Sequence, residues 1–229
     1  MKKIKIIYSS ITGNTKKVAE SVFDFLDVSY RKDKNIKDNK ESQLPDKIAG
    51  KDKGVHTLSY GEKLRLPHTA KLELFDIKNF TGAHYGADKE SNRTFCDFFS
   101  DDDIIIICFW CRRSGMDDLS LSLIESLSNK KILAIGTLSG DAKGQYGYRV
   151  KENAKNAISH NNQCIGVHLC QGHSNLKRIE SRRHLNPGEP KYISPEKWLR
   201  HLNMQHHPDA NDIKEVLRFV QCTLLHYFK

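Results

Sequence analysis

Four short runs of nearly unbroken apolar residues decide what this chain can fold into. They are Ile4 to Tyr8, Asp103 to Trp110 (DIIIICFW), Lys131 to Thr137 (KILAIGT) and Cys164 to Cys170 (CIGVHLC). Each is short for a helix and most are rich in β-branched residues. Each therefore predicts a strand buried on both faces, as in a parallel sheet covered by helices. Leu72 to Ile77 (LELFDI) alternates instead, and predicts an edge strand.

Helical stripes lie between these runs. Asn14 to Leu26 sets Val18, Ala19, Val22, Phe23 and Leu26 on one face. Leu119, Leu123, Ile124 and Leu127 form a second stripe, and Val150 to Ile158 a more polar third. Ile213, Val216, Leu217, Val220 and Leu224 give a strong last helix. Alternating strands and helices predict a doubly wound α/β sheet. Right-handed crossovers through five strands make 2-1-3-4-5 the natural order.

Two stretches fall outside this alternation. Ser29 to Ala70 carries ten Lys/Arg and six Asp/Glu. Gln171 to Pro208 holds five His, seven Lys/Arg, four Pro and Trp198. They account for an apolar content of 38% and a mean hydropathy of -0.59, both low for a compact core. The whole chain, 1–229, reads as a single domain with insertions at about 29–70 and 171–208. The first leaves from a helix end. The second follows the last strand, at the sheet edge where open α/β folds bind ligands, and is the better candidate for function.

The net charge of +9 suits an anionic partner, whether nucleic acid, acidic protein or small molecule. It is split between the two insertions and matches no nucleic-acid motif, so that reading is set aside. No run approaches the roughly 20 apolar residues of a membrane span. The N-terminal MKKIKIIYSS is broken by Lys5 and predicts a strand, not a secretion signal. Six cysteines in no framework spacing point to reduced thiols and a cytoplasmic protein.

The segment Tyr8-Ser9-Ser10-Ile11-Thr12-Gly13-Asn14-Thr15 stands between a predicted strand and a predicted helix. Such a turn aims backbone N–H groups outward at a helix N-terminus, where the macrodipole favours an anion. Ser10, Thr12 and Thr15 add hydroxyls, and Gly13 permits close approach. There is no Lys, so it is not a Walker loop. An uncharged, hydroxyl-rich cradle suits a phosphate monoester. The plain alternative is a capping turn without ligand.

Here the chain resembles the flavodoxin family, whose phosphate loop reads T/S-x-T-G-x-T. It is most similar to the flavodoxin-like proteins that accompany bacterial bilirubin reductases. Those share a YSSxTGNT loop, a Phe-Trp pair followed by Gly, a GTL-x-G turn, a CQG and an HP-x-x-x-D start to the last helix. In this chain the counterparts are Phe109-Trp110 with Gly115, Gly136 to Gly140, Cys170 to Gly172, and His207-Pro208 to Asp212. The resemblance implies a flavodoxin-like fold with FMN as cofactor. It implies that Ser9, Ser10, Ile11, Thr12, Gly13, Asn14 and Thr15 hold the phosphate. It implies ring contacts from Phe109, Trp110, Cys111, Arg112 and Gly115, and from Thr137, Leu138, Ser139 and Gly140. Tyr146 is a further aromatic candidate. The basic charge departs from the usual acidic flavodoxin.

The expectation is an electron-transfer flavoprotein serving a redox partner, such as a reductase with an acidic docking surface. The alternative is an FMN-dependent reductase of a quinone or small molecule, with residues 171–208 as a substrate lid. A third reading is a family member that binds FMN weakly and acts by interaction. No catalytic side chain and no metal are expected. His201, His206 and His207 lack companions at zinc-like spacing. Cys108 and Cys111 have CxxC spacing, but on a strand end, where alternation sends the thiols to opposite faces.

Overall fold

The computed structural model describes residues 3–35, 71–79, 99–100 and 103–227. Five parallel strands run in the order β2-β1-β3-β5-β6. They are β1 (Lys3–Tyr8), β2 (Lys71–Asp76), β3 (Ile104–Arg112), β5 (Lys131–Leu138) and β6 (Gln163–Gln171). The two-residue β4 (Gly115–Met116) pairs antiparallel with the end of β3. Leaving β4 aside, this is the expected 2-1-3-4-5 order of a flavodoxin-like sheet, with β2 at an edge.

Strand alternation splits the core in two. Ile4, Ile6, Ile104, Ile106 and Cys108 face α1 (Asn14–Asn35) and α6 (Ala210–Tyr227). Ile7, Ile105, Ile107 and Phe109 face α2 (Asp118–Ser126) and α3 (Gln145–Ser159). Each helix presents one apolar stripe. Val216, Val220 and Leu224 of α6 are wholly buried, as are Val150, Ala154 and Ile158 of α3. Each large aliphatic buried this way stabilises the fold by roughly 1.5–3 kcal/mol.

Several boundaries differ from the sequence reading. β3 continues through Arg112, two residues past the expected end, because a hairpin extends it. Helix α1 runs on to Asn35, so the first residues of the expected 29–70 insertion are helical. Residues 36–70 lie outside the described part. The 171–208 stretch forms α4 (Leu176–Ile179), a 3-10 turn (Glu180–His184) and α5 (Pro195–Asn203). Ser194 caps α5 by accepting from the Lys197 amide, with Pro195 just inside.

Candidate functional site

The loops that leave the C-terminal ends of β1, β3, β5 and β6 meet along one edge of the sheet. The first is the Ser9–Gly13 turn. Ser9 is buried and its hydroxyl donates to Asp117 Oδ1 at 2.8 Å. Ser10 Oγ accepts the Gly13 amide at 3.1 Å, folding the turn onto itself. Gly13 has φ +88°, in the left-handed region that favours glycine. The first intrahelical bond of α1 runs from the Lys17 amide to Gly13 O at 2.9 Å. The amides of Asn14, Thr15 and Lys16 therefore precede the helical ladder and head α1 as donors without an acceptor among the described residues.

The side chains of this loop divide. Ile11 and Thr12 are exposed at the surface. Asn14 and Thr15 are buried and already engaged. Thr15 Oγ1 and Thr137 Oγ1 share a hydrogen bond at 2.8 Å, which ties α1 to the end of β5. Asn14 Nδ2 donates to His173 O at 2.9 Å, which ties it to the segment after β6. Asn14 Oδ1 is buried with no partner among the described residues. Such an orphan costs about 1–3 kcal/mol unless a ligand donor reaches it.

At the second loop, Arg113 (φ 48°) and Ser114 (φ 63°) turn β3 into β4, with Arg112 opposite Gly115. Positive φ at both central residues is the type I′ hairpin, whose twist matches its strands. Trp110 is partly buried, and its amide donates to Asp117 Oδ2 at 3.3 Å. Arg112 forms an ion pair with Asp118. Phe109, expected at the site, is wholly buried: a Cβ on Gly136 would lie 2.5 Å from its Cζ. Its side chain belongs to the core beneath the edge. The side chain of Leu138 is likewise buried.

Tyr146 joins the second and third loops. Its hydroxyl lies 3.5 Å from Cys111 Sγ, and its ring lies against Gly140. Burial pushes the Cys111 thiol up, against the opposing hydrogen bond from Tyr146. Burial raises the Tyr146 phenol as well, helped by the same contact. Both stay neutral near pH 7. Cys108 is fully buried in the opposite half of the core, where burial raises its thiol strongly. The two cysteines thus face opposite sides of the sheet. Ser139 and Gly140 are partly buried beside Tyr146.

The segment after β6 closes the edge. The Gly172 amide donates to Leu138 O at 2.8 Å, and a Cβ there would meet Asn14. His173 Nδ1 lies 2.8 Å from His207 O, and Lys17 Nζ donates to Pro208 O at 2.5 Å. His207 Nδ1 pairs with Asp212 Oδ2 at 2.5 Å. Asp209 Oδ1 accepts the Asp212 amide and Asp212 Oδ2 accepts the Asp209 amide, a reciprocal cap on α6. His206, His207 and Asp209 do bring ligand atoms within 4.8 Å of one another. Asp209 Oδ1 caps α6 and His207 Nδ1 pairs with Asp212. His201 stands apart, 3.1 Å from Ser174 Oγ.

Asp117 and His173 were missed in the sequence. Asp117 had a signal, an Asp immediately before an apolar stripe, which is a helix N-cap. His173 had none. The donor set at the head of α1 fits a phosphate. It offers open amides, the exposed Thr12 hydroxyl and Ser10, with no carboxylate from Ser9 to Thr15. Lys78 Nζ donates to Ser10 O at 3.1 Å, adding a cation beside the turn. Trp110 and Tyr146 offer aromatic surface for a planar group.

The flavodoxin domain family matches the chain over residues 85–221, which takes in β3 to most of α6 and leaves the Ser9–Gly13 turn outside. The flavodoxin-like domain-containing protein BilS of Clostridioides difficile (strain CD3) is 27% identical over 219 residues, covering 94% of this chain and 93% of its own length. Oxidised Flavodoxin 1 from Bacillus cereus aligns over 99% of both chains with 12% identity and a TM-score of 0.47. The azoreductase of Bacillus anthracis str. Sterne aligns over 97% of this chain and all of its own, with 9% identity and a TM-score of 0.47.

Proposed function

The chain belongs to the flavodoxin domain family, and from that premise we propose that it holds FMN at this edge and passes electrons to a protein partner. The observation that carries the reading is the uncharged turn at the head of α1, standing next to Trp110 and Tyr146. The amides of Asn14, Thr15 and Lys16, with the hydroxyls of Thr12 and Ser10, hold the phosphate. Thr15 acts by its amide and by its bond to Thr137. Trp110, Cys111, Arg112 and Gly115 of the second loop would hold the ring, together with Thr137, Leu138 through its backbone, Ser139, Gly140 and Tyr146.

When bound, the flavin supplies the one- and two-electron chemistry. The side chains bind, orient and exclude water. Asp117 fixes the start of the phosphate turn and the end of β3 to each other. Asp118 balances the charge of Arg112. The neutral Cys111 and Tyr146 close the gap between the second and third loops. No helix among the described residues is long and apolar enough to cross a membrane. The partner is a redox protein with an acidic docking surface, in keeping with the chain's net charge of +9.

A reductase remains the second reading, favoured by one observation. The segment after β6 is tied to the head of α1 through Asn14 and Lys17, where a substrate lid would stand. The test is the absorption spectrum of the purified protein, with mass identification of the released chromophore. A yellow protein releasing FMN supports the proposal, and a colourless one that takes up no added FMN defeats it. Sustained NAD(P)H oxidation by the pure protein favours the reductase.

A further inference from the structure

The polar segment after β6 has an exterior that folding does not explain. Helix α5 buries none of its residues, yet it carries Trp198, Leu199 and Leu202. Leu199 is 57% exposed and Leu202 is 42% exposed. At i and i+3 they are neighbours on the helix surface. The two leucines form a small exposed apolar patch, and neither belongs to the core on either face of the sheet.

Cations accompany them. Residues 171–208 carry seven Lys/Arg against Glu180, Glu189 and Glu196, a surplus of four. Lys177, Arg178, Arg183, Lys191, Lys197 and Arg200 are exposed. None of the seven forms an ion pair with a carboxylate among the described residues. Glu189 accepts the Asn186 amide at 2.8 Å within its own turn. The segment is held in place. Arg183 lies over the Trp198 ring at 4.5 Å, joining the 3-10 turn to α5. Gln205 Nε2 donates to Ser174 O at 3.1 Å and to His201 O at 2.8 Å. His173, next in chain, receives Asn14 of the phosphate turn. The surface is therefore ordered and anchored beside the candidate flavin edge.

Resting on the redox reading above, we propose that the 176–203 segment is the docking surface for an acidic electron-transfer protein. The partner seats apolar side chains on Leu199 and Leu202 and sets carboxylates against the unpaired Lys and Arg. Such surfaces combine an apolar centre with charges that steer encounter. A nucleic acid fits less well. It has little use for aliphatic side chains, and it would stack on an aromatic ring, whereas Trp198 is already covered by Arg183.

The test is titration of the full chain with an acidic [2Fe–2S] ferredoxin, with cationic cytochrome c as the opposite-sign control. Binding is read by calorimetry at rising ionic strength. The expected result is ferredoxin binding that weakens at least tenfold between low salt and about 0.3 M, since exposed charges are screened beyond a Debye length, with no binding of cytochrome c. Lys197→Glu with Arg200→Glu should weaken it at least tenfold and flatten the salt dependence. Leu199→Ser with Leu202→Ser should weaken it several-fold at every salt. All four side chains are exposed, and thermal melts check that the fold is intact. Ferredoxin binding no tighter than cytochrome c, or indifferent to salt and to both double variants, overturns the proposal. So does tighter binding of a short single-stranded DNA that the leucine changes leave alone. Binding needs no flavin, so a chain that takes up no added FMN but still takes ferredoxin through this surface would sink the redox reading and leave the surface standing.

Discussion

The carboxylate of Asp117 is 1% exposed and meets no cation among the described residues. It is held instead by four donors. Oδ1 accepts Ser9 Oγ at 2.8 Å and the Ser120 amide at 3.2 Å; Oδ2 accepts Ser120 Oγ at 2.8 Å and the Trp110 amide at 3.3 Å. One side chain thus caps α2 and ties the phosphate turn to the end of β3. Asp117→Ala leaves buried donors unmet and should cost roughly 3 kcal/mol in urea unfolding. It should also weaken FMN binding, because both loops lose their common anchor. Unchanged stability would mean that water replaces the carboxylate. The threonines separate more cleanly. Thr12 is exposed, so Thr12→Ala should leave stability within about 0.5 kcal/mol of the parent. It should weaken FMN binding by about tenfold or more, the worth of one charge-assisted hydrogen bond. Thr15 is buried against Thr137, so Thr15→Val should destabilise by about 1–3 kcal/mol. Calorimetric FMN titration and thermal melts, run on both variants, decide whether the two residues part in this way.

At the scale of elements, the strands were legible and their extensions were not. Ile104 to Trp110 announces a buried strand because every residue is apolar. Nothing in Cys111 to Met116 announces a hairpin: its turn residues are Arg113 and Ser114, without the Gly or Asn that usually marks a type I′ turn. Helix α1 reads to Leu26 because its stripe ends there, and the residues from Asp27 to Asn35 are polar apart from Val28 and Tyr30. Helix α5 was hidden for a related reason. It buries nothing, so its periodicity has no core to match, although Ser194-Pro195-Glu196 is a helix start in plain sight. The candidate site was legible where backbone chemistry fixes it, as at Gly13. It was not where distant segments meet, as Asn14 does with His173. Helix α3 offers a test at this scale. A Cβ on Gly147 would stand 2.2 Å from the carbonyl oxygen of Ala142, which is backbone and has little room to yield. Gly147→Ala should cost about 1–3 kcal/mol, shift the Ser139–Gly144 loop and reduce FMN affinity. Wild-type stability in this variant would mean that the loop moves freely, and the third wall of the site would lose its support.

Across the whole molecule, charge is arranged in two ways. The seven Lys and Arg of residues 171–208 form no ion pair among the described residues, while the far edge buries an ion cluster. Lys5, which interrupts the first apolar run, is buried between Glu73 at 3.8 Å and Asp103 at 3.7 Å. Lys71 Nζ lies 2.6 Å from the other oxygen of Glu73. Burial alone would raise the Glu73 carboxyl, but the hydrogen bond and charge of Lys71, with Lys5 and Lys3 behind, bring it below its ordinary value. A carboxyl held lower in the folded chain stabilises the fold above its unfolded value, about 4.3. That stabilisation is lost as pH falls through the folded value. The melting temperature of the parent should therefore fall more steeply below about pH 5 than that of Glu73→Gln. Parallel curves would remove Glu73 from the acid response. The candidate flavin site lies on the other edge, and paired calorimetric titrations with FMN and with riboflavin test it most directly. The two ligands share the ring and differ in the phosphate that the Ser10–Thr15 turn is built to take. One equivalent of FMN should bind, and riboflavin should bind at least a hundredfold more weakly, since losing two or more charge-assisted hydrogen bonds of about 1.5–3 kcal/mol each costs that much. Equal affinity for the two, or no binding of either, would contradict the account.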